Sequence, residues 1–227
     1  MGKTETRTFF AAQYRFQEWK NWSTVRHTHR DKVVIRFLPI LVALMVPGLA
    51  AADAKLFAAV AAGDRAAVEE ELAKGADVES RSRDQATPLI AATLGNQLAI
   101  VQLLLNEGAD VMARNSGGFT ALHAAAYSGS VPITGLLLEK NAVLDDDANK
   151  AGVTPLMVAG EQNRLAVAEF LIAKGADVSH PEIHGYLPIT RALFKGNSDI
   201  IRLYKRHGAT CQASIISWYQ RCLEISD

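Results

Sequence analysis

The chain has 227 residues, 49% of them apolar and 21% charged, a globular composition with enough chain to bury one sizeable core. Basic and acidic side chains balance at 24 each, but unevenly along the chain: residues 1–52 carry eight Lys/Arg against three Asp/Glu, and residues 53–227 carry sixteen against twenty-one. The larger part is therefore mildly acidic, which removes the electrostatic case for nucleic acid as a partner.

Residues 1–32, with Trp19, Trp22, His27 and His29, form an extended N-terminal segment, read as disordered or not translated, with translation starting near Val33 or Val34. Residues 33–52 have the layout of a secretory signal peptide. A basic flank at Lys32 and Arg36 leads into an apolar run from Phe37 to Leu49, and the small residues Ala50, Ala51 and Ala52 place cleavage after Ala52 or Ala54. The run is interrupted by Pro47 and Gly48 and is shorter than the roughly 20 residues of a membrane-spanning helix. An uncleaved anchor is the alternative, and either version exports the remainder. The expected location is periplasmic or secreted.

Residues 53–227 are written as a repeat. "LAKGADV", "LLNEGADV" and "LIAKGADV" end three helices with one phrase, and its glycine position recurs at Gly75, Gly108, Asn141, Gly175 and Gly208. A second register runs through Gly63, Asn96, Gly129, Asn163 and Gly196; both advance by 33, 33, 34 and 33 residues. All ten positions are Gly or Asn, the residue types that tolerate positive φ, which ends a helix. Each unit thus predicts two helices. Thr87, Thr120 and Thr154 are placed as N-caps, with Pro88 and Pro155 set for the first turn. The first helix of each unit reads as about nine residues, rich in Ala ("IAATL", "HAAAY"). The second carries the larger apolar residues, and neither buries its face unless units stack.

"ATPLIAATLGNQLAIVQLLLNEGADV" and "FTALHAAAYSGSVPITGLLLEKNAV" resemble ankyrin repeats. The resemblance covers five units, at about 53–83, 84–116, 117–150, 151–183 and 184–216. It implies an all-α solenoid of stacked helix–turn–helix units with projecting β-turn fingers, curved as an array, here preceded by a signal peptide. Unit one lacks the Thr-Pro-Leu start and has Glu70 and Glu71 where later units have leucines, as a polar terminal cap requires. Unit five, with "YLPI", is also degenerate. "ASIISWYQRCLEISD" is then a capping helix, with Ser214 as candidate N-cap and Trp218 and Leu223 packing inward. The single 34-residue step lies in "LDDDANKAGV"; Asp145–Asp147 read as a solvated loop, since calcium needs further oxygen ligands at fixed spacing.

No phosphate loop, HExxH or serine elbow occurs, so the expected chain is not an enzyme and needs no cofactor. The resemblance gives His123 a structural role, tying its turn to the neighbouring unit. His180, His184, His207 and Cys211 are the alternative, a metal-handling or redox-support cluster, with each spacing found in some metal sites but the repeat register holding the residues apart. Cys211 and Cys222 either form a disulfide, permitted in an exported chain, or are two free thiols; spacing does not decide. The resemblance places partner contacts on the finger residue before each Thr position and on the first helix seven residues after it. Among the residues at these positions are Phe119, Tyr127, Glu161, Tyr186 and Phe194, with Arg83, Asp84, Arg114 and Lys150 as a polar rim; the alternative is that some of the aromatic side chains pack between units. The expected function is a monomeric, non-catalytic scaffold that binds a protein, not nucleic acid, and keeps no membrane span after signal cleavage.

Overall fold

The computed structural model describes residues 51–214 and 216–225. The segment 1–32 and nearly all of the expected signal segment lie outside them. Ala51 and Ala52 already belong to the first helix, so both expected cleavage points fall in its first turn. Eleven helices and no strand occur among the described residues. They pair as α1 (Ala51–Ala62) with α2 (Arg65–Ala73), α3 (Pro88–Leu94) with α4 (Leu98–Asn106), α5 (Ala121–Ser128) with α6 (Val131–Glu139), α7 (Pro155–Glu161) with α8 (Leu165–Ala173), and α9 (Pro188–Lys195) with α10 (Ser198–Arg206). α11 (Ile216–Glu224) follows.

The helix ends are where the two Gly/Asn registers place them. All ten positions have positive φ, from 55° at Asn163 to 97° at Gly175. Two of the three Thr starts are capped as predicted: Thr87 accepts from the Ile90 N–H and Thr154 from the Met157 N–H, each at 3.3 Å. Units two to five have first helices of seven or eight residues, shorter than expected, because the N-cap and the positive-φ residue stand outside the helix.

Packing runs in two rows. α1, α3, α5, α7 and α9 each touch the next in that order, and so do α4, α6, α8 and α10, while each first helix also packs on its own second helix. The short side chains of Ala124, Ala125 and Ala126, all fully buried, permit the close approach. Leu104, Leu137 and Leu171 occupy one register of the second helices and are buried completely, each contributing about 1.5–3 kcal/mol. Unit five puts Tyr204 in that register. Its hydroxyl donates to the Leu156 carbonyl at 2.8 Å, and burial raises its pKa far above the usual phenol value. Room comes from Gly160, where a Cβ would lie 2.5 Å from the Tyr204 oxygen.

Polar bonds also join units. Gln97, Arg164 and Asn197 stand before the second helices of units two, four and five, and their side chains do not cap them. They reach back to the first helix of the preceding unit, donating to the carbonyls of Val60 (2.8 Å), Tyr127 (2.9 Å) and Gly160 (2.6 Å). At the far end a disulfide joins Cys211 to Cys222, with Cα atoms 5.9 Å apart, and the Lys205 ammonium donates to the Ile225 carbonyl. The expectation that Leu223 packs inward fails: it is 51% exposed and Cys222 is 2% exposed. Adjacent helical residues point about 100° apart, so turning Cys222 toward Cys211 turns Leu223 out. None of the helices among the described residues is long and apolar enough to cross a membrane.

Candidate protein-binding surface

The second helices of units one to four lead into fingers that share much of one internal bonding scheme. The aspartates of the repeated phrase, Asp77, Asp110 and Asp177, accept the N–H two residues on at 2.9, 2.8 and 2.7 Å, an Asx turn. Their own N–H groups donate to carboxylates nearer the start of the chain: Asp53 of α1 in the same unit, and Glu79 and Asp145 one unit earlier. Further along, Ser82, Asn115, Asn149 and Glu182 accept the N–H four residues on, at Ala86, Phe119, Val153 and Tyr186. Positive φ at Gln85, Gly118, Gly152 and Gly185 turns the tip. Successive tips are bonded: Ser116 donates to Asp84, Lys150 to Gly117 and Ile183 to Ala151, at 2.8, 3.2 and 3.3 Å. The fingers are thus held before any partner arrives.

The finger with the extra residue departs from the expected solvated loop, because its three carboxylates have three different polar contacts. Asp145 accepts from the Asp177 N–H, and burial raises its pKa. Asp146, 5% exposed, takes a bidentate pair from Arg114 with both contacts at 2.9 Å. Asp147 meets the His180 ring at 3.0 Å. Arg114 also donates to the carbonyls of Gly118 and Ala148, so it clamps two fingers together instead of forming an exposed rim. Arg83, Asp84 and Lys150 are exposed.

His123 is fully buried. Its Nε2 faces the Val153 carbonyl at 2.9 Å, which can only accept, so that nitrogen carries the proton and Nδ1 accepts from the Thr120 N–H. Burial lowers its pKa, and the residue is a neutral strut between two units. Unit five has neither this Thr nor this His. Gln212 substitutes from the following loop: its Oε1 accepts from the Leu187 N–H and the Thr190 hydroxyl, and its Nε2 donates to Gly185.

The expected contact residues fall into two groups. Phe119 is half-buried, edge-on to His123 at 5.3 Å. Tyr127 is only 9% exposed, so it is not an open anchor; its part of α5 is enclosed on nearly every side. Glu161 is ion-paired with Arg191, which also lies 3.6 Å from the buried carboxylate of Glu182. Tyr186 and Phe194 come together in unit five, with ring centroids 5.3 Å apart. The row continues on one side to His184, stacked on Tyr186 at 6.3 Å, and on the other to Trp218 of α11, edge-on to Phe194 at 5.5 Å. Arg191 was legible from the repeat, since units two to four have Ala91, Ala124 and Val158 at its position. Trp218, expected to pack inward, is half-buried and joins the row. Ile183, at the tip beside His184, is exposed and carried no sequence signal.

The alternative cluster does not assemble. His180 is bound to Asp147, His184 to Glu182, and Cys211 is in the disulfide; His207 caps α10 and is exposed. Among the described residues no group of three or more His, Cys, Asp or Glu is arranged to hold a metal ion.

A family profile described as ankyrin repeats, in three copies, matches residues 56–147 and 115–182. The rat (Rattus norvegicus) protein "Ankyrin repeat and SAM domain-containing protein 6" is 35% identical over 74 residues, which cover 30% of this chain and 8% of that protein.

Proposed function

Because the chain belongs to the ankyrin-repeat family, whose repeats generally mediate protein–protein interaction, we propose that it is an exported, non-catalytic scaffold binding one protein partner through its fingers and the adjoining ends of its first helices. The observation that carries this reading is the bonded series of finger tips beside the contiguous rings of Tyr186 and Phe194. A surface ordered in advance loses little conformational entropy on docking, and aromatic side chains supply most of the energy at such contacts. Export rests on the apolar run after Arg36 and on the disulfide, which persists in an oxidising compartment.

The experiment is a pull-down from the exported fraction with wild type and a Tyr186→Ala/Phe194→Ala double variant of equal helicity. A protein held by the wild type and lost by the variant supports the reading. Equal recovery by both overturns the surface, and finding the chain in the cytosolic fraction overturns export. Tyr127 is left intact, because its burial would confound binding with folding.

A further inference from the structure

The repeat scheme leaves α11 without an assigned task beyond covering unit five. Its placement argues for more. Trp218 prolongs the ring row of Tyr186 and Phe194, and Arg221 lies over the Trp218 ring at 5.6 Å. Arg221 is exposed, and its guanidinium reaches the end of α9, 3.9 Å from where a Cβ of Gly196 would stand. No ion pair among the described residues includes Arg221 or the exposed Lys195 nearby. The charge of the chain reverses here: residues 184–225 carry six Lys/Arg and two Asp/Glu, whereas residues 53–183 carry ten and eighteen.

We propose that α11 is part of the docking surface and that the occupant is an extended acidic segment of the partner protein. An apolar side chain of this segment lies on Phe194 and Trp218, and a carboxylate beside it pairs with Arg221. The inference rests on the protein-binding reading and names the partner chemistry for the same surface. A basic segment is repelled by Arg221 and Lys195, and the exposed carboxylates of the other units turn an acidic segment away from the rest of the surface. The three ring-to-ring steps, 6.3, 5.3 and 5.5 Å, are spanned by an extended segment of at most about five residues.

The test is selection from a random dodecapeptide library displayed on phage, against the full chain under non-reducing conditions. Enriched peptides are then labelled and titrated by fluorescence polarisation. Enriched sequences are expected to carry Asp or Glu next to a large apolar residue. They are expected to bind Arg221→Glu at least about tenfold more weakly, and selection against that variant shifts to Lys/Arg-bearing sequences. Trp218→Ala is expected to weaken binding as well, but Arg221→Glu, at an exposed site, is the variant that cannot be explained by lost folding. Enrichment of basic peptides, equal binding to wild type and Arg221→Glu, or no enrichment overturns the proposal. Peptides lost on Tyr186→Ala or Phe194→Ala but kept on Trp218→Ala and Arg221→Glu overturn it while leaving the scaffold reading intact.

Discussion

At the scale of single residues, two positions show how backbone and protonation are bound to the fold. His123 is held neutral by burial, with Nδ1 facing an N–H donor. In the unfolded chain an imidazole titrates near pH 6.5. Below that value the unfolded state takes up a proton that the folded state refuses, so stability falls as pH falls. The slope approaches about 1.4 kcal/mol per pH unit until the lowered folded-state pKa is reached. Denaturant unfolding from pH 7 to pH 5 should show this fall in wild type and a flatter line in His123→Gln; parallel lines would mean that the ring titrates normally. Gln85 is the second position. It takes φ 59° where the other fingers have Gly118, Gly152 and Gly185. Left-handed backbone costs a side-chain-bearing residue about 1–2 kcal/mol, partly offset by the entropy glycine loses. Gln85→Gly should therefore raise stability by about 0.5–1 kcal/mol. Gly118→Ala should lower it by more, because a Cβ there would lie 2.7 Å from the Asn149 Cα.

Among elements, the legible and illegible parts of the fold separate by the range of the interaction. Helix ends and starts were readable because they are set by φ preference and local caps, which a residue type expresses within four positions. Contacts such as Gln212 to Leu187, Arg114 to Asp146 and Gln97 to Val60 depend on what the next unit brings alongside, and no residue type announces them. Of the candidate surface, the register names Tyr186 and Phe194, whose rings meet, and equally Tyr127, which is buried, since periodicity names a face without saying what covers it. The Gly160–Tyr204 pair is a second case: a glycine inside a helix reads as a weakness until the tyrosine one unit later fills its place. This predicts a coupled double-mutant cycle. Gly160→Ala should destabilise by about 1–3 kcal/mol through overpacking. In a Tyr204→Leu background, which restores the residue type of Leu104, Leu137 and Leu171, the same change should cost far less. Additive costs would show that Gly160 does not make room for the ring.

For the described residues taken together, stacking makes stability a property of neighbours, and the two ends differ in what holds them. α4 buries five residues, Ile100, Val101, Leu103, Leu104 and Leu105, between flanking units, whereas α2 buries only Val68 and presents Glu69 and Glu70 to solvent. Local opening costs only the contacts that are broken, so units lost from an end should open below the global free energy. Native-state hydrogen exchange should rank amides of α4, α6 and α8 as best protected and those of α2 as less protected. α11 is held differently. It meets unit five through Trp218, Cys222 and the bond from Lys205 to the Ile225 carbonyl, and the disulfide closes the loop that brings it there. A thiol reductant should accelerate exchange across α11 and leave α2 unchanged. Uniform protection from α1 through α10 would mark one cooperative unit and contradict the neighbour scheme. Unchanged exchange in α11 after reduction would mean that its noncovalent contacts hold the helix, in which case the ring row survives in a reducing compartment.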